Sequence, residues 1–73
     1  MSKLPVLSGK DVLRMLQRIG YYVRDQQGSH IHLRHATRPP LTVPNHKEIA
    51  RGTLRAIVRD AEMTIDQFLK LLT

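Results

Sequence analysis

Two histidines stand in the run Gln27-Gly28-Ser29-His30-Ile31-His32, directly after a glycine and a serine. Strand alternation puts His30 and His32 on one face of a sheet. Three chemistries compete for them. A metal site would draw on His30, His32, His35 and His46, but the chain has no cysteine, and Asp25 and Glu48 are the only carboxylates nearby in sequence. A structural zinc site wants a closed set of four ligands, so no metal is expected. Ser29 as a nucleophile is disfavoured too. On a strand it points away from its neighbour His30, and no third group orients the base. Its hydroxyl or backbone N–H is better suited to a phosphate oxygen or to capping the turn. Acid–base work by His30 demands least. RNA carries its own nucleophile in the 2′-hydroxyl, and an imidazole, with a reference pKa of about 6.5, serves as base or acid near neutrality. Arginines and backbone N–H groups can stabilise the phosphorane without a metal. On residue types alone the plainer alternative stays open: a surface histidine that only packs or hydrogen-bonds.

Whatever His30 does, it is carried by a small basic platform. A chain of 73 residues buries only about 60% of its unfolded surface and has no disulfide to compensate. Twelve Lys and Arg against six Asp and Glu give a net charge of +6, and eight of the twelve are arginine. That balance points first to nucleic acid, with an acidic protein or an anionic membrane surface as alternatives. Arginine in particular suits bidentate phosphate recognition. The apolar runs are too short to span a bilayer, and Met1–Leu7 lacks a signal peptide's apolar stretch. The expectation is one soluble cytoplasmic domain over residues 1–73.

The elements follow in order. Met1–Leu7 is an extended tail. Ser8 caps a first helix over about Gly9–Ile19, with Asp11 closing a capping box and Gly20 as the left-handed stop. Val12, Leu13, Leu16 and Ile19 form its apolar side. Tyr21–Gln26 reads as a strand with Tyr21 and Val23 inward, and Gln27-Gly28 as the hairpin turn. His30–His35 is the second strand, with Ile31 and Leu33 inward. The Pro39-Pro40 turn ends it, and Leu41-Thr42-Val43 is a third strand stopped by Pro44. A loop anchored by Ile49 leads to a second helix, about Thr53–Ala61, burying Leu54, Ile57 and Val58. Thr64 and Gln67 box a last short helix whose apolar side is Ile65, Phe68, Leu69 and Leu72. The order α-β-β-β-α-α gives an α+β fold: a three-stranded antiparallel sheet with helices on one face.

The other face is then open, and its residues are Tyr22, Arg24, His30, His32, Arg34 and Thr42. Two arginines, two histidines and a tyrosine on an uncovered surface suit a polyanion with stackable bases. The rows Lys10/Arg14/Arg18 and Arg51/Arg55/Arg59, each at i, i+4, i+8, are either solvated faces or phosphate-facing stripes.

Gly28-Ser29-His30, then Val43-Pro44-x-His46-x-Glu48, then Gly52-Thr53-Leu54-Arg55-x-Ile57 resemble the motifs of the HicA toxin family. The likeness runs from Leu7-Ser8-Gly9-Lys10 to the Phe68 helix. It implies a double-stranded-RNA-binding-domain-like fold and RNA cleavage by His30, with Gly28 and Ser29 placing that histidine. It also implies a HicB-type antitoxin partner that covers the active face. His46 and Glu48 match the second motif without a settled role, and His32 matches none. The leading expectation is therefore an mRNA-cleaving toxin that needs no cofactor. Its candidate RNA contacts are Lys10, Arg14, Arg24, Arg34, Arg51 and Arg55. A non-catalytic RNA-binding module is the alternative, and a docking surface for an acidic protein is a third reading. Recognition by shape and backbone gives little sequence choice.

Overall fold

The computed structural model describes residues 3–72. Helix α1 (Gly9–Gln17) is followed by strands β1 (Tyr22–Gln27), β2 (His30–Arg34) and β3 (Leu41–Pro44), then helices α2 (Arg51–Asp60) and α3 (Ile65–Leu69) and a closing 3₁₀ turn, Lys70–Leu72. The strands form one antiparallel sheet in the order β1-β2-β3. Helices α1 and α2 both pack against β3, over Ile31, Leu33, Leu41 and Val43, all buried. This is the α+β fold that the order of elements implied, and it agrees with the double-stranded-RNA-binding-domain-like fold that the family resemblance implied.

Both capping boxes are present. Ser8 Oγ accepts from Asp11 N–H while the Asp11 carboxylate accepts from Ser8 N–H, and Thr64 and Gln67 do the same for α3. Helix α1 ends earlier than its apolar spacing suggested. Arg18, Ile19 and Gly20 each donate three residues back, and Tyr21 N–H reaches Leu16 O, which closes the helix around Gly20 at φ 104°. Helix α2 starts earlier, at Arg51. Its N-cap is Ala50, with no side-chain cap, and the buried anchor Ile49 fixes the chain's entry instead.

Four further expectations need correction. The strand Tyr21–Gln26 and the Gln27-Gly28 turn lie one residue later: Gln27 pairs with His30, and the loop is Gly28-Ser29. Gly28 has φ 58°, the positive φ that a tight hairpin needs at its first loop position. Val23 shares the helix-side face with its partner Leu33 but is 43% exposed. The helices cover β3, not the outlying edge of β1. Leu72 is also exposed; Leu71 packs against the core in its place. Of the expected N-terminal tail, Met1 and Ser2 lie outside the described residues. Leu4 and Leu7 are buried, so that segment belongs to the core.

His35 drops out of β2 because its ring is engaged elsewhere. Nδ1 accepts from Thr37 N–H (3.0 Å) and Arg38 N–H (3.1 Å), so Nε2 carries the hydrogen and donates to Ile19 O at 2.7 Å. The ring also packs on Tyr21. It ties the end of α1 to the β2–β3 turn.

Candidate functional site

His30 is the first residue of β2, directly after the hairpin loop, and pairs with Gln27 on one side and Pro44 on the other. That register places it on the sheet face away from the helices, where it is exposed. Its ring makes no hydrogen bond among the described residues. The hairpin is fastened nearby: Asn45 N–H donates to Ser29 O at 2.6 Å. Ser29 thus anchors through its backbone, and its side chain lies outside the cleft that His30 lines.

That cleft, of about 490 Å³, is lined by His30, Thr42, Pro44, His46, Glu48, Ala50 and Thr53. It brings the first and second sequence motifs together. What holds His46 there is close packing of α1 against the end of β3. Gly9 N–H donates to His46 O at 2.8 Å, and a Cβ on Gly9 would lie 2.3 Å from Pro44 O and 2.9 Å from Asn45 Cα. Only glycine permits that approach. At the other wall, the uncapped start of α2 leaves first-turn N–H groups without a side-chain acceptor.

The open face carries a second, smaller hollow, lined by Arg24, His32, Arg34 and Thr42 among others; Thr42 borders both. Its geometry depends on an irregularity of β1 that residue spacing did not reveal. The register slips between Val23 and Asp25. Strict alternation would send Asp25 toward the helices, like Val23; the bulge turns it outward, opposite His32. Asp25 Oδ1 then lies 2.8 Å from His32 Nδ1. The ring N–H is not aimed along that line, so this buried oxygen has no well-aligned donor. Sequence reasoning missed the pair; the one available signal was the polar Asp25 at an inward position of the expected strand.

The candidate cations fall into separate groups. Arg24 and Arg34 share the open face with the histidines, and neither has a partner among the described residues. Lys10 lines a hollow with His46 and Lys47, beside the His30 cleft. Arg51 begins α2 next to Ala50 and is exposed. Arg14 instead pairs with Asp11 at 3.0 Å and lines a groove with Arg18 and Leu71, into whose carbonyl Arg18 donates. Arg55 lines a groove with Arg59 between α2 and α3. The structure does not bring Arg14 or Arg55 to His30.

Among the described residues no three His, Asp or Glu stand together as metal ligands. Nor is any helix long and apolar enough to cross a membrane. Among the described residues, Asp11 and Tyr21 depart from their ordinary pKa values, both in the scaffold. Hydrogen bonds from the Ser8 backbone and hydroxyl, with Arg14 nearby, hold the Asp11 carboxyl below the usual range. Burial pushes the Tyr21 phenol up.

A small α+β platform with arginines and histidines on an open sheet face presents a surface of the kind that attracts polyanions. The model of the HicA toxin family, toxins of bacterial toxin–antitoxin systems, matches residues 9–63 of the 73. The chain belongs to this family, and is therefore a toxin with an antitoxin counterpart. No curated protein matches the chain significantly.

Proposed function

We propose that the chain is an endoribonuclease toxin that cleaves mRNA in the cytoplasm, with His30 as the acid–base group, until a HicB-type antitoxin covers the open face. The observation that carries this reading is His30 itself. Its ring is exposed, without hydrogen bonds among the described residues, at the lip of a cleft on the sheet face that also carries Arg24 and Arg34, two arginines without a partner among the described residues. A histidine kept for structure has its nitrogens occupied, as His35 does.

In this reading His30 acts on the 2′-hydroxyl or the leaving oxygen. Gly28 supplies the turn that starts β2 at that residue, and the loop's backbone N–H groups, that of Ser29 among them, contact the phosphate. Arg24 and Arg34 hold the backbone on the sheet face, with Lys10 and Arg51 beside the cleft. Arg14 and Arg55, on other surfaces, add only long-range attraction. The 2′-hydroxyl attacks the adjacent phosphorus, so the product carries a 2′,3′-cyclic phosphate. A plain 3′-hydroxyl product, or loss of activity in chelator, overturns that chemistry.

The test compares wild type and His30→Ala for RNA binding and cleavage, with circular dichroism to follow folding. The variant is expected to bind RNA and to cleave about 10²- to 10⁴-fold more slowly. Cleavage at the wild-type rate removes His30 from the mechanism. Binding without cleavage by both proteins makes this a binding module.

A further inference from the structure

We infer that His32, oriented by Asp25, is the general acid of the cleavage step, opposite His30 as the base; the inference rests on the ribonuclease reading above. In-line displacement at phosphorus puts the entering and leaving oxygens on opposite sides. A single imidazole is poorly placed to take a proton from one and give a proton to the other in one step. The 5′-alkoxide is a poor leaving group unless it is protonated as the bond breaks, so a second proton carrier has a defined task.

His32 meets the geometric demands of that task. It lies on the same face of the same strand as His30, two residues on, at a Cα spacing of roughly 6.6 Å from the strand rise, a separation within reach of a single phosphodiester group. Its Nδ1 is 2.8 Å from Asp25 Oδ1, which leaves Nε2 without a partner among the described residues. A carboxylate behind an imidazole fixes its orientation and offsets the charge of a ring protonated on both nitrogens. His30 has no such carboxylate, as befits a ring that must start neutral, and His46 has none either. The β1 bulge exists where it re-aims Asp25, a use of bulges common beside active sites. The imperfect alignment of the pair is normal for a catalytic hydrogen bond before substrate tightens it.

The step balances. His30 takes the 2′-O–H proton as the 2′-oxygen bonds to phosphorus. The P–O5′ bond breaks, and Nε2–H of His32 gives its proton to the 5′-oxygen. The products are a 2′,3′-cyclic phosphate and a 5′-hydroxyl. The two histidines end with exchanged protonation, which solvent resets. His32 is then a catalytic residue and Asp25 a positioning residue.

A substrate with sulfur in place of the bridging 5′-oxygen separates this role from phosphate binding or folding, because a thiolate leaves without an acid. The experiment measures wild type, His30→Ala, His32→Ala, Asp25→Asn and His46→Ala on RNA and on the 5′-thio substrate, with thermal melting of each. His32→Ala should lose about 10²- to 10⁴-fold on RNA and return to within about one order of magnitude of wild type on the 5′-thio substrate. Asp25→Asn should show the same selective recovery from a smaller loss, with Asp25→Glu restoring part of the RNA rate. His30→Ala should stay slow on both. Equal losses of His32→Ala on both substrates, or no loss, overturn the proposal while leaving His30 as the base. Thio-selective recovery by His46→Ala instead moves the acid to His46 and also overturns it. A wild type inert on both substrates is a different failure, of the ribonuclease reading itself.

Discussion

His30 and His35 flank the same short strand, and the protein uses them in opposite ways. At His35 both ring nitrogens are engaged by backbone groups, from Ile19 on one side and Thr37 and Arg38 on the other. At His30 neither nitrogen has a partner among the described residues. The difference follows from surroundings. His35 leaves the ladder where the chain folds back under the end of α1, and unmade hydrogen bonds there would be costly. His30 stands exposed on a sheet face that no described element covers, where solvent can reach the ring. One imidazole is thus a fastener, and the other keeps both ring nitrogens free of any partner among the described residues.

Exchanging the damage tests that contrast most directly. His30→Ala should abolish nearly all cleavage and leave the unfolding free energy from urea melts unchanged within about 0.5 kcal/mol. His35→Ala should do the reverse: the loss of its three backbone partners costs about 2–4 kcal/mol, a large part of a small domain's stability. Its cleavage rate per folded molecule should stay near that of wild type. If His35→Ala unfolds at the wild-type midpoint, the contrast is broken.

The arginines sharpen it next. Arg24→Ala and Arg34→Ala should each weaken RNA binding and flatten its dependence on log salt by about 0.7–0.9. Arg14→Ala, on the far groove and paired with Asp11, should change the slope much less. Equal slopes for all three would mean that the open face has no privileged hold on RNA.

Smaller effects probe the scaffold around His35. Tyr21 packs on that ring and donates to Pro39 O at 2.9 Å; Tyr21→Phe should cost about 0.5–1.5 kcal/mol near neutral pH. Because burial raises the phenol's folded pKa, the unfolded chain releases that proton first. The stability held by the neutral phenol is therefore present below about pH 10 and lost as pH rises through the folded value. Wild type should weaken more steeply than Tyr21→Phe in that alkaline window. Asp11 gives the smallest effect and the opposite sign. Its folded pKa is lowered by the Ser8 hydrogen bonds, so its contribution is present above the ordinary value of 3.8 and fades as pH falls through the folded one. Asp11→Asn should flatten the acid limb of a melting-temperature profile.

Much of the molecule was legible along the chain because its signals are local. A capping box needs only Ser8 and Asp11, or Thr64 and Gln67, three residues apart. The hairpin needs a glycine between alternating strands, and Pro39-Pro40 cannot continue a ladder. From these the order of elements, the buried Ile31 and Leu33, and the open face carrying Arg24, His30, His32 and Arg34 followed. The family resemblance, carried by short motifs, directed attention to His30.

What only the tertiary structure decided is what depends on neighbours distant in sequence. The bulge that turns Asp25 onto His32 arises from pairing with β2, and within β1 only the polar Asp25 at an inward position hints at it. Val23 alternates like a core residue yet stays half open, because the helices settle over β3. Gly9 matters for the backbone of Pro44 and Asn45 that it touches. The contact delivers His46 to the cleft of His30, joining two motifs that are far apart along the chain. Spacing along a strand put His30 and His32 on one face. Only the packing of β1 and α1 around them decided which histidine gained a carboxylate and which gained a cleft.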